Sequence, residues 1–355
     1  MFMLWNVRKH LKNESEDEYM QTRQTVRTTA KTVNGDLLTP ISIFQRLHGQ
    51  RKFLLESSDK YGGAGRYSFI GTNPRKLYSG TATTLTDYHY INDKKYVYEG
   101  ELLRSIKQVM PRVSSDTELP FTGGAIGYID TNLQEALFQI YDTLIIFDHL
   151  TDMLTIFHTN IEAEHQTPNL DEVLTQLFTA RLTEHTSYEL SPFTQNKAQF
   201  TGDPFALYRK LRIKLASAYL YYIEFDDKTI LGASQESLLS VQSGAVSANL
   251  FTPIADDVQN LFQSICVENS MQQETSTAVT TKLSGTLQPT LHSIEALAKF
   301  VPATGAIGYI GFNGQLDFTQ TARSVTITND TATLAITNDD DLAIFDAFST
   351  GGAKS

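Results

Sequence analysis

The hexapeptide GAIGYI stands at Gly124–Ile129 and returns, letter for letter, at Gly305–Ile310. Each copy is apolar enough for a buried strand, yet each carries two glycines. A strand keeps glycine where another backbone or a ligand comes very close. Either chance produced two similar strands or each marks a corresponding point in a larger plan, and the flanking residues bear on which. After the first copy, DTLIIFDHLTDMLTIFHTN (Asp142–Asn160) reads as a hairpin turning at HLTD. After the second, ARSVTI and TATLAIT form another, joined at Asn329-Asp330. Upstream of the first copy, LTDYHYINDKKYVYEG places Tyr88 and Tyr90 opposite Tyr96 and Tyr98 across an Asn-Asp turn. YLYYIEF, TILGAS and SLLSVQ supply further strands in the second half, the first two meeting at Asp226-Asp227.

Helices are fewer. Residues Leu38–Leu47 start one with Pro40 in its first turn, and Leu170–Leu182 carries another. Leu207, Leu211 and Leu215 share a helix face, as do Leu291, Ile294, Leu297, Ala298 and Val301 after Pro289. Runs of hairpins with so few helices predict an α+β fold, a two-layer antiparallel β-sandwich with flanking helices. The chain divides into a polar lead-in over 1–40 with one frayed helix, a first region over 41–165 and a second over 195–355. The polar stretch 161–200 marks the boundary.

Composition narrows the function. The 355 residues are 41% hydrophobic and 19% charged, with a net charge of −11. That acidity disfavours nucleic acid and anionic membrane. Cys266 is the single cysteine, which excludes an internal disulfide and cysteine-built metal sites. The N-terminus breaks into charge before a signal peptide's apolar stretch can form, so a cytoplasmic chain is expected. The glycines of GGAGRYSFIGTNP (Gly62–Pro74) lack the strand-then-helix context of a phosphate loop. TNDDDLAIFD (Thr337–Asp346) lacks the alternation and glycine of a calcium loop and reads as a solvated acidic turn. No His-x-x-x-His pair and no Gly-x-Ser-x-Gly elbow occurs.

Read in order, FLLESSDKYGGAGRYSFIGTNP, GGAIGYID, YRKLRIKLASAYLYYIEF, ILGASQESLLSV, LSGTLQP and GAIGYIGFNGQLDFTQTARSVTI resemble anthranilate synthase component I, from about Phe53 to about Thr328. The resemblance implies a chorismate-binding fold and a magnesium-dependent enzyme. Such an enzyme takes ammonia from a glutamine amidotransferase partner, converts chorismate to anthranilate and is inhibited by tryptophan. On the motifs, Arg323 of TARSV would hold a substrate carboxylate as a bidentate pair, and Tyr309 of GYIGF would stand at the substrate. Leu55, Glu56 and Ser57 match the effector motif Leu-Leu-Glu-Ser, while Ser217, Tyr219 and Leu220 of LASAYL match its partner segment.

The departures fall on chemistry. Counting back from LSGTL, the family's catalytic histidine lands on Ala278, which cannot transfer a proton. The magnesium-binding helix should follow VSANLFTPI, where nothing matches, and near the C-terminus only Asp346 could replace the second metal glutamate. The substrate loop before the second GAIGYI is absent. The sequence therefore predicts a component I homologue impaired in turnover. The alternatives are a non-catalytic subunit that senses tryptophan or docks an amidotransferase, and another chorismate user such as aminodeoxychorismate or isochorismate synthase.

Overall fold

The structure is a computed structural model, and it describes residues 6–9, 27–57, 65–113, 117–130, 134–161, 167–183, 187–215, 217–234, 237–250, 262–275, 279–300, 305–321, 323–335 and 339–350. Two large sheets pack face to face. In order, one contains Asn6–Lys9, Lys94–Glu99, Thr84–His89, Lys76–Thr81, Ala136–Tyr141, Gly124–Ile129, Ala306–Gly311, Leu316–Gln320, Ser237–Gln242, Ala245–Leu250, Val279–Leu287 and Cys266–Thr275. The other runs Tyr188–Leu190, Lys197–Gly202, Thr331–Ala335, Ser324–Thr328, Thr229–Ser234, Tyr219–Glu224, Phe53–Ser57, Tyr67–Gly71, Thr143–Asp148, Met153–Asn160 and Arg27–Asn34. Neighbours are antiparallel except Asn6–Lys9, which lies parallel to Lys94–Glu99.

Strand alternation sorts side chains between three apolar layers. Phe53, Phe69, Ile126, Tyr128, Tyr221, Ile307 and Tyr309 meet between the sheets. On the back of the second sheet, helices Pro40–Arg46, Leu170–Thr179, Pro204–Lys214 and Asp339–Asp346 cover Leu54, Ile145, Leu231 and Val325. Helices Leu102–Val109 and Ser293–Phe300 cover the back of the first. The architecture is thus the expected sandwich with flanking helices. Among the described residues no helix is long and apolar enough to cross a membrane.

The repeated hexapeptides are hydrogen-bonded to each other. Gly127 faces Gly308, Ile126 faces Tyr309 and Tyr128 faces Ile307, so a local two-fold axis passes between the middle glycines. Register carries the relation outward: Tyr128 pairs with Leu137 as Tyr309 pairs with Asp317, and Gly127 with Phe138 as Gly308 with Phe318. A Cβ on Gly127 would run into the carbonyl oxygen of Leu137, and one on Gly308 into that of Asp317. Both glycines are therefore steric necessities of the same tight hairpin. Element order is similar in the two halves as well. The first has helix Pro40–Arg46, strands Phe53–Ser57 and Tyr67–Gly71, three strands from Lys76 to Glu99, helix Leu102–Val109, four strands from Gly124 to Asn160 and helix Leu170–Thr179. The second has helix Pro204–Lys214, strands Tyr219–Glu224 and Thr229–Ser234, four described strands from Ser237 to Leu287, helix Ser293–Phe300, four strands from Ala306 to Ala335 and helix Asp339–Asp346, so they differ by one strand before the second helix. The two regions on either side of 161–200 contribute strands to both sheets.

Three expectations are corrected. The acidic TNDDDLAIFD is no turn: Asp339–Asp346 is a helix, because Phe345 is fully buried against the helical layer and outweighs the acids. The lead-in, expected to be loose with a frayed helix, instead contributes a strand: Arg27–Asn34, rich in threonine, lies beside Met153–Asn160. In the tyrosine hairpin the register is shifted: Tyr88 opposes Lys95, Tyr96 opposes Asp87, Tyr98 opposes Leu85, and Tyr90 sits in the turn.

Candidate functional site

Near the two-fold, beside the second copy of the hexapeptide, the sheets part around a cavity of about 800 Å³. Its walls come from both sheets. Leu55, Glu56, Tyr219 and Leu220 form one side, from the meeting of Phe53–Ser57 with Tyr219–Glu224. Opposite them stand Tyr309, Asp317, Ser237 and Gln242. The structure thus places Leu55, Glu56, Tyr219 and Leu220 of the effector set in one space with the substrate tyrosine, although they were expected to serve different ligands.

Tyr309 stacks on Phe121 with ring centroids 4.3 Å apart, meets Phe69 at 5.8 Å, and its hydroxyl accepts from Gln242 Nε2 at 3.0 Å. Burial, then the carboxyl of Asp317, raises its ionisation far above the ordinary tyrosine range. Asp317 is the unusual group. It lies between Tyr309 and Ser240 in the ladder, so its side chain enters the cavity from the sheet floor. Oδ1 accepts from Ser237 Oγ at 2.8 Å and Oδ2 from the Tyr219 hydroxyl at 3.2 Å. These bonds favour the carboxylate, yet burial outweighs them and pushes the group up to about 7. The counterpart of Asp317 across the two-fold is Leu137, packed against the inter-sheet core. The hydroxyl of Tyr128, counterpart of Tyr309, is taken by Glu135 and by Lys228 Nζ.

The other expected residues divide. Glu56 is buried and its carboxylate is engaged: the Tyr208 hydroxyl donates at 2.6 Å and Arg212 Nε at 2.8 Å. Ser57 ends its strand opposite Tyr219. Ser217 is buried outside the cavity wall, its hydroxyl donating to the carbonyl of Leu215. Arg323 also lies off the wall, at a left-handed turn (φ 58°) before Ser324–Thr328, where its carbonyl accepts from Ala233 N at 3.2 Å. Ala278 falls outside the described residues. Sequence reasoning missed Asp317, Ser237, Gln242 and Phe121. One signal was available: Gln315, Asp317 and Thr319 alternate with Leu316 and Phe318, a polar stripe whose side chains face the cavity instead of solvent.

Magnesium requires several oxygen donors converging in near-octahedral geometry. The acids on the wall are Glu56, Glu118 and Asp317. The first is held by Arg212 and Tyr208, the third by Ser237 and Tyr219. Asp346, the expected substitute ligand, accepts from Phe193 N at 2.9 Å. Among the described residues no three metal-donor side chains come together. These residues do not fit the ion.

Residues 178–259 match the model of the chorismate binding enzyme family. Anthranilate synthase component 1 of Lactococcus lactis is 29% identical over 281 residues, which is 63% of this chain and 60% of that protein. The protein of the same name from Bacillus subtilis is 26% identical, covering 60% of this chain and 55% of its own length. Over residues 178–259 this chain is similar to the chorismate-binding enzymes. It spans little more than half of those two relatives' length. Its fold is that of chorismate-binding enzymes of known structure. Anthranilate synthase component I from Streptococcus pneumoniae superposes with a TM-score of 0.63 at 21% identity, covering 90% of this chain and 98% of that one. The menaquinone-specific isochorismate synthase of Escherichia coli gives 0.54 at 12%, covering 94% and 98%.

Proposed function

We propose that this chain is a homologue of anthranilate synthase component I in which binding has outlasted turnover. It would hold a small ring-bearing metabolite of the tryptophan branch between its sheets and form little or no anthranilate from chorismate. The observation that carries this reading is the state of the wall acids. Glu56 and Asp317 are each tied to neighbouring side chains instead of converging on a cation. A chorismate dianion would meet a wall with three carboxyl groups against two bases, one of which, Arg66, is paired bidentately with Asp148. The sequence adds Ala278 where the family places its proton-transferring histidine. Loss of one member of a catalytic set commonly removes several orders of magnitude of rate.

Tryptophan is the ligand this reading favours, because the wall holds Leu55, Tyr219 and Leu220 of the effector set with an aromatic lining, while Arg323 lies elsewhere. An amidotransferase subunit, the partner that the resemblance implies, would then be a docking partner and no source of ammonia for chemistry in this chain. The test is incubation with chorismate, magnesium and ammonia while anthranilate fluorescence is followed, together with calorimetry against tryptophan. Heat from tryptophan with no fluorescence supports the proposal. Turnover at an ordinary enzyme's rate, of about 1 s⁻¹ or more, overturns it.

A further inference from the structure

We infer that Asp317 is the ligand anchor of the inter-sheet cavity and that it selects a ring-bearing primary ammonium over a ring-bearing carboxylate. The inference rests on reading that cavity as the binding site, and it adds the charge and the contact atom of the ligand.

The argument begins with what the fold needs. At the symmetry-related position the same hairpin carries Leu137, packed into the apolar layer between the sheets. A carboxyl at this place is therefore no requirement of the architecture, and burying one works against folding. Among the described residues, none of its neighbours neutralises it. The side chains that face it are Tyr219 from one sheet and, from the other, Ser237 and Ser240 on one flanking strand and Tyr309 on the other, all uncharged hydroxyls. Thr319 follows on its own strand. Among the described residues, Glu56, Glu118, Arg66 and Lys282 are the charged groups elsewhere on the wall. Ser237 and Tyr219 each satisfy one carboxylate oxygen and leave lone pairs directed at the cavity.

A second acceptor stands beside it. Gln315, two residues away on the same face of the chain, also lines the cavity, and its side-chain oxygen is buried with no hydrogen-bond partner. An unmade bond of that kind is satisfied by a donor. Carboxylate and amide oxygen together ask for a group with several N–H donors and a positive charge, which an ammonium supplies and a carboxylate does not. Tyr309, Phe69 and Tyr219 on the same walls offer aromatic surface to a ring.

The anchor's own titration gives this reading a signature. Burial sets the carboxyl to change charge at about 7. A primary amine stays protonated well above that point. If only the ionised carboxyl binds, affinity scales with its fraction and rises about tenfold from pH 6 to pH 8. The experiment is calorimetric titration of the full chain with tryptamine and with indole-3-propionate, which share a ring system and differ in charge, at both pH values. Tryptamine is expected to bind more tightly than the anion, with the tenfold rise. Asp317→Asn should lose most tryptamine binding and flatten what remains, while its circular dichroism matches the parent and its melt stays cooperative. Tighter binding of the anion, a pH-independent amine affinity, an unchanged Asp317→Asn variant, or no binding of either probe at 10 mM (about) would each overturn the inference. Anthranilate formation is silent on this point, so failure of the turnover prediction and failure of the charge preference can be told apart.

Discussion

Replacing Asp317 by asparagine should make the protein more stable, and only above acidic pH. In the folded chain burial moves this carboxyl from 3.8 to about 7. The unfolded chain releases its proton near pH 4, so between pH 4 and 7 the folded state holds a proton that the unfolded state has lost. Stability then falls as pH rises through that window, and the full penalty is present above 7. At 1.36 kcal/mol for each pH unit, the span corresponds to about 4 kcal/mol as an upper bound. Asparagine keeps the shape and never ionises. The variant-minus-parent difference in unfolding free energy should therefore be small at pH 4.5 and grow by 2–4 kcal/mol (about) by pH 8. Urea denaturation followed by circular dichroism measures it, and taking the difference cancels every other group that titrates in both proteins. A difference that stays flat from pH 4.5 to pH 8, or one that turns against the variant at high pH, would show that desolvation does not govern Asp317 as described.

Three further outcomes follow from packing and charge. Gly308→Ala should destabilise by 2 kcal/mol (about) or more, because the added methyl meets the Asp317 carbonyl, and Gly127→Ala should do the same at Leu137; thermal melts of both test the symmetry. Arg212→Met should be destabilising by about 3 kcal/mol because it strands the buried Glu56 carboxylate, and adding Glu56→Gln should recover part of that loss in urea titrations. His158 is almost wholly buried, and burial lowers its proton affinity against the pull of Asp142. The unfolded chain protonates it near 6.5 and the folded chain only at lower pH, so stability contributed by this histidine is lost as pH falls below 6.5. His158→Gln should weaken that acid limb in a pH series of melting temperatures.

The sequence made the local structure legible and the assembly much less so. The hairpin over Asp142–Asn160 and the helix faces at Leu207, Leu211, Ile294 and Leu297 follow from short-range periodicity, and all are present. The pairing of Gly124–Ile129 with Ala306–Gly311, and of Phe53–Ser57 with Tyr219–Glu224, joins strands remote in the chain. Nothing in the spacing of residues encodes such a partner. The repeat was visible as six letters, but its meaning needed the register that sets Gly127 against Gly308. Asp317 was hidden for a different reason. A polar residue at alternate strand positions is the mark of a wet face, and only the second sheet above it turns that face into a cavity wall. Glu56 was legible as part of the effector motif, while its tie to Arg212 depends on a helix over 150 residues away in sequence.

Because each half of the chain lends strands to both sheets, the two halves are stitched along two hydrogen-bonded seams instead of resting against each other. Severing the backbone anywhere in 161–200 would leave fragments each bearing a pair of raw, sticky borders. A proteolytic nick there should therefore leave the molecule whole in size-exclusion chromatography and separable only under denaturant. Neither portion should serve as a soluble module when produced alone.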